Sequence, residues 1–131
     1  MKRIIYLLLC AFPMLLSCNN EKESDELTEY YVRYEYEHAS SDPTKGATYA
    51  NKIISVKTDS GILDITTLAN SYSETFGPVQ KGFEAKISVS YLGSSGWGDT
   101  TLKIYVARGN EPFALKPAVI NGYTATYTID F

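Results

Sequence analysis

The feature that most constrains this chain is a period of two. In KGFEAKISVSYLG the set Phe83, Ala85, Ile87, Val89 and Tyr91 alternates with Glu84, Lys86, Ser88 and Ser90, which is the pattern of a strand with one face buried and one in water. TEYYVRYEYEH puts Tyr30, Val32, Tyr34 and Tyr36 on one face and Tyr31, Arg33, Glu35 and Glu37 on the other. TTLKIYVARG groups Leu102, Ile104 and Val106 against Thr101, Lys103 and Tyr105. GYTATYTIDF groups Tyr123, Ala125, Tyr127 and Ile129 against Thr124, Thr126, Thr128 and Asp130. Weaker runs at 49–58, 62–67 and 72–76 complete the set. Long stretches with the period of an amphipathic helix are absent, so the body reads as all-β.

Turn chemistry falls between these runs. Asp59-Ser60-Gly61 predicts a tight hairpin, Gly77-Pro78 is expected to stop the run before it, and GSSGWG and GNEP are expected loops. About seven short strands at this spacing predict a single immunoglobulin-like antiparallel β-sandwich. The aromatic end of the chain resembles the closing strand of outer-membrane barrels, but such barrels need at least about eight strands of about 9–11 residues. The expected strands are too few and several are too short. Phe131 is therefore expected to be the last core residue of a terminal strand.

The front of the chain is of another kind. Lys2 and Arg3 precede an apolar run at 4–16, too short to cross a hydrocarbon core of about 30 Å and typical of a secretory signal. Leu15, Leu16, Ser17 and Cys18 then resemble the lipobox of bacterial lipoproteins. The resemblance implies that residues 1–17 are a signal peptide and that Cys18 becomes the lipidated first residue. The membrane is then a partner through acyl chains alone, since two or more buried chains anchor a protein stably. The other cysteine, Cys10, lies inside the expected signal. Residues 18–28 are expected to be a solvated tether, because Glu21, Glu23, Asp25 and Glu26 stand against a single Lys22 and such a segment buries too little apolar surface to fold. This stretch is similar to the acidic export signal of surface lipoproteins in Bacteroidota-type bacteria. Together with GPVQKGFEAKISVSY, where a Gly-Pro turn leads into a long strand, it carries a likeness to small outer-membrane lipoproteins of immunoglobulin-like fold. The domain proper is expected over 29–131.

The chemistry of the domain is sparse. A net charge of −3 argues against nucleic acid as a partner. His38 is the only histidine, so a histidine metal site or a catalytic dyad would rest on one residue, and a surface position at the end of the first strand is expected for it. GSSGWG fails the nucleophile-elbow pattern because Trp97 stands where the last glycine belongs. Asp59 and Asp64 flank a hairpin without the ligand density of a calcium loop. No cofactor or metal is expected. Trp97, the single tryptophan, either closes the end of the sandwich or presents its ring to a sugar or a protein. Tyr31 stands on the polar face of the first strand and is a second ligand-binding candidate. Asp99-Thr100-Thr101 resembles the acceptor motif for O-linked glycans, which would attach at Thr100. The expectation is a non-catalytic, lipid-anchored, surface-facing binding or accessory module of the cell envelope. The competing reading is a carbohydrate-binding lipoprotein that uses Trp97 and tyrosines, and a small enzyme comes third.

Overall fold

A computed structural model describes residues 28–40, 44, 49–93 and 98–131. The expected signal, Cys18, most of the tether and Trp97 lie outside the described residues. The rest is a β-sandwich of eight strands: β1 (Tyr30–Ala39), β2 (Lys52–Thr58), β3 (Gly61–Thr67), β4 (Ser71–Val79), β5 (Glu84–Tyr91), β6 (Asp99–Arg108), β7 (Ala114–Ile120) and β8 (Thr124–Thr128). One sheet has the order β4-β1-β6-β7 and the other β3-β2-β5-β8, with every pair antiparallel.

The core forms where the alternating faces meet. Val32, Tyr34, Ile104 and Leu102 come from one sheet and Ile54, Val56, Ala85 and Ile87 from the other, all of them buried. Three tyrosines of β1 are buried with their hydroxyls engaged. Tyr34 donates to the carbonyl of Lys57 at 2.6 Å and accepts the Lys86 amide at 3.2 Å, as a buried phenol requires. Burial pushes the Tyr34 phenol up to about 12, and the hydrogen bond from the Lys86 backbone pulls against that rise.

Two edge strands depart from the sequence reading. Gly77-Pro78 does not stop β4, which runs on to Val79. A register shift between Tyr30 and Val32 absorbs the irregularity, and proline is tolerated because β4 is an edge strand. Gly77 adopts φ 142°, and a Cβ there would lie 2.8 Å from the Tyr30 carbonyl oxygen. β7 is the strand beyond the seven that alternation predicts, because Pro117 interrupts its pattern and a register shift between Lys103 and Tyr105 breaks its alternation. It too is an edge.

The chain comes in at the near end of the sandwich, where the amide of Gly109 donates to the Glu29 carbonyl at 2.7 Å. Phe131 sits at the rim of this end, 37% exposed, and is not the core residue expected. Its ring meets Tyr30 edge-on at 5.5 Å, and its carbonyl accepts the Tyr30 hydroxyl. Ile129 is the last buried side chain. β7 and β8 approach each other across one flank, while among the described residues β3 and β4 are not closely apposed across the other.

Candidate functional site at the far end of the sandwich

The far end is built from residues one step beyond the core runs. On β1 the buried face continues from Tyr36 to His38, on β5 from Val89 to Tyr91, and on β6 Thr100 precedes Leu102 on the same face. On β2, Lys52 precedes Ile54 and Val56. These positions form a polar floor. Tyr91 Oη lies 2.6 Å from Thr100 Oγ1, 3.1 Å from Tyr36 Oη and 3.4 Å from His38 Nδ1, and His38 Nδ1 lies 3.3 Å from Thr100 Oγ1. The Tyr91–Thr100 contact is the tight one; the two to His38 are long. Burial raises the Tyr36 phenol, reinforced by the neighbouring Tyr91 hydroxyl.

Lys52 has no exposed surface, yet its Nζ lies at the end of the sandwich and not at its centre. Nζ donates to the Ala69 carbonyl at 2.8 Å and stands 5.5 Å from the Tyr36 ring centroid. Desolvation lowers its pKa. Asn70, the residue after Ala69, has its Oδ1 buried without a hydrogen-bond partner among the described residues. Gly98 closes the floor at φ 138°, where a Cβ would come within 2.6 Å of the Ala39 carbonyl oxygen and 2.9 Å of His38 Nε2.

Above this floor the surface turns apolar. Backbone hydrogen bonds stitch the end together: His38 to Asn70, Leu92 to Asn51, Asn121 to Thr100, and Val89 to Tyr123. Next to the stitches stand Tyr49, Leu68, Leu92, Ile120 and Tyr123, each at least half exposed. They make up five of the nine large apolar side chains exposed among the described residues. Leu68 marks the β3–β4 corner, Tyr49 and Leu92 stand over β2 and β5, and Ile120 and Tyr123 mark the β7–β8 corner. Tyr123 is braced by Tyr91, ring centroids 6.3 Å apart and nearly perpendicular.

The structure distributes the sequence candidates unevenly. His38 is buried at 4% exposure, contrary to its expected surface position, because it continues the buried face of β1 and caps the core with a hydrogen-bonding ring. Thr100, the expected glycan acceptor, is also buried, its hydroxyl 2.6 Å from that of Tyr91. Trp97 lies outside the described residues, but its described neighbours Gly93 and Gly98 flank the far end. Tyr31 is at the other end of β1, about 23 Å from His38 at strand rise. There its hydroxyl meets Glu29 at 3.2 Å, and that carboxylate raises the phenol pKa. Tyr31 and the described residues that flank Trp97, Gly93 and Gly98, therefore lie at opposite ends of the sandwich. On the same outer face as Tyr31, Arg33 lies over Tyr105 at 4.4 Å and Phe113 at 4.8 Å. Its Nε approaches Glu35 Oε1 at 3.1 Å in an ion pair too poorly aligned for a hydrogen bond. A shallow cleft of about 280 Å³ follows, lined by Glu35, Glu37, Tyr72, Ser73, Thr101 and Lys103. Asp64 accepts the Ser55 hydroxyl at 2.5 Å, and among the described residues no three His, Cys, Asp or Glu side chains gather around a metal-sized space.

Comparisons with protein-family models, with curated proteins and with solved structures find no match for this chain.

Proposed function

We propose that this chain is a non-catalytic binding module of the bacterial cell envelope, held in the outer membrane by lipid at Cys18 and meeting a protein partner with the far end of its sandwich. One observation carries the reading: the tether joins at the near end, and the apolar crown of Tyr49, Leu68, Leu92, Ile120 and Tyr123 faces the opposite way. A domain tied at one end presents the other to whatever lies beyond the membrane. Exposed apolar residues grouped on a rigid frame are the usual material of a protein interface. The carbohydrate reading draws support from Tyr49 and Tyr123, whose rings can stack on a sugar. Leu68, Leu92 and Ile120 offer a sugar no hydrogen bond, which favours a protein.

The test has two arms. Cys18→Ser is expected to move the chain from the membrane fraction to a soluble one, and continued membrane association would sink the anchoring claim. In the anchored protein, Leu92→Asp combined with Ile120→Asp is expected to abolish co-purification of a stoichiometric envelope protein after crosslinking in intact cells. Retention of that partner, or glycan affinity in the isolated chain that both substitutions leave intact, would refute the crown as the binding end.

A further inference from the structure

On the outward face of the β3-β2-β5-β8 sheet the strand register sets two lysines against each other. The Leu92 amide donates to the Asn51 carbonyl at 2.8 Å, and stepping by two along the register from there makes Lys57 and Lys86 opposite members of a hydrogen-bonded pair. That pair is not closed. Pairing ends at Val56 and Ile87, although β2 runs on to Thr58 and β5 begins at Glu84. Where the Lys86 amide would reach the Lys57 carbonyl, the Tyr34 hydroxyl stands between them, accepting from the first at 3.2 Å and donating to the second at 2.6 Å. Like charges directly opposite are destabilising, and neither lysine makes an ion pair among the described residues. Asp64, the one acid lining the space beside them, accepts the Ser55 hydroxyl at 2.5 Å. Glu84, the next outward residue of β5, stands opposite Thr128 on β8.

We propose that Lys57 and Lys86 form a binding site for a phosphate group. A depression of about 350 Å³ lies over β2, between β3 and β5, and both lysines line it together with Ser55, Ile62, Asp64 and Ser88. The hydroxyl inserted by Tyr34 spreads the strands at the lysine rung, which lets the two ammonium groups flank one anion. The Phe83 ring, 5.4 Å from Lys57 Nζ, steadies that ammonium. A phosphate group carries about two charges and more acceptor oxygens than a carboxylate, so it answers both ammonium groups and the Ser88 hydroxyl together. Ile62 offers an apolar contact to the body of a phosphate ester, and the Asp64 carboxylate can accept a hydroxyl from it. The inference rests on this face of one sheet and is independent of the crown.

The test titrates the isotope-labelled full chain, in mild non-ionic detergent at low salt, with glycerol phosphate, inorganic phosphate and uncharged glycerol, and follows amide shifts and the dissociation constant. Lys86 is exposed, so Lys86→Met leaves the fold intact. Saturable shifts centred on Lys57, Lys86 and Ser88, with affinity weakened about tenfold by Lys86→Met and unchanged by Lys81→Met in the near-end turn, support the proposal. Either order of affinity between the two phosphates supports it as well: tighter glycerol phosphate names an ester as the ligand, and tighter inorganic phosphate names the free anion. No saturable shift with either phosphate, affinity indifferent to Lys86→Met, an equal loss in Lys81→Met, or glycerol binding as tightly as its phosphate overturns it.

Discussion

The two ends of the sandwich are built on opposite rules. At the near end the interior is apolar, with Tyr30, Val79, Val106 and Ile129 buried, and the last residue of the chain folds over the rim. At the far end the interior is polar, with Lys52, His38 and Thr100 buried, and the apolar side chains stand outside. An apolar interior lowers the free energy of the isolated fold. A buried lysine raises it, since a charge taken from water is poorly compensated by one carbonyl. The near end is therefore arranged for stability and the far end gives some of it up. Such a concession is expected where a surface is shaped to meet something else.

The largest expected effect breaks the near end. Tyr30→Ala removes a fully buried ring, its edge-on contact with Phe131 and its hydroxyl bond, and should cost about 3–5 kcal/mol in chemical denaturation. A loss under about 1 kcal/mol would mean that this end does not hold the fold.

An intermediate effect comes from the middle of the core. The Tyr34 phenol is held up to about 12, so the folded state keeps its proton where the unfolded chain has lost it. Its contribution is whole below about pH 10 and is lost as pH rises from there toward 12, by about 2–3 kcal/mol. Alkaline titration of the melting temperature should show a fall to which Tyr36 and Tyr72, whose phenols are also raised by burial, contribute as well, and Tyr34→Phe should remove only the share that belongs to Tyr34.

The smallest effect sharpens the contrast by relieving the far end. Lys52→Met should stabilise the domain by about 1 kcal/mol at neutral pH. Because the folded-state pKa of Lys52 is lowered, the wild type should gain stability as pH rises through that lowered value toward the ordinary lysine range, and the variant should not. A lower Tm in Lys52→Met would show that the bond to Ala69 outweighs the buried charge.

Much of this was legible in the sequence. The faces of β1, β5 and β6 follow from alternation, and the Asp59-Ser60 turn lies where Gly61 announced it. The polar floor was legible too, though only by extending each buried face one position further than hydropathy suggests. Tyr36 leads to His38, Leu102 leads back to Thr100 and Ile54 leads back to Lys52. Residue type pointed outward and parity pointed inward, and parity prevailed because the strands run on past the core. β7 was not legible, since Pro117 and the register shift at Lys103 erase the period on which strand recognition depends. The crown was not legible either, because its members lie far apart in sequence and share one end of the sandwich only through the way the strands pair.

The central claim is that the domain is held at one end and binds with the other. The most direct test places a photo-crosslinking amino acid either at Leu92 in the far end or at Lys81 in the near-end turn, each in the anchored protein in living cells. The account predicts a single defined adduct from position 92, absent from position 81. Equal labelling from both positions, or an adduct from Lys81 alone, would contradict it.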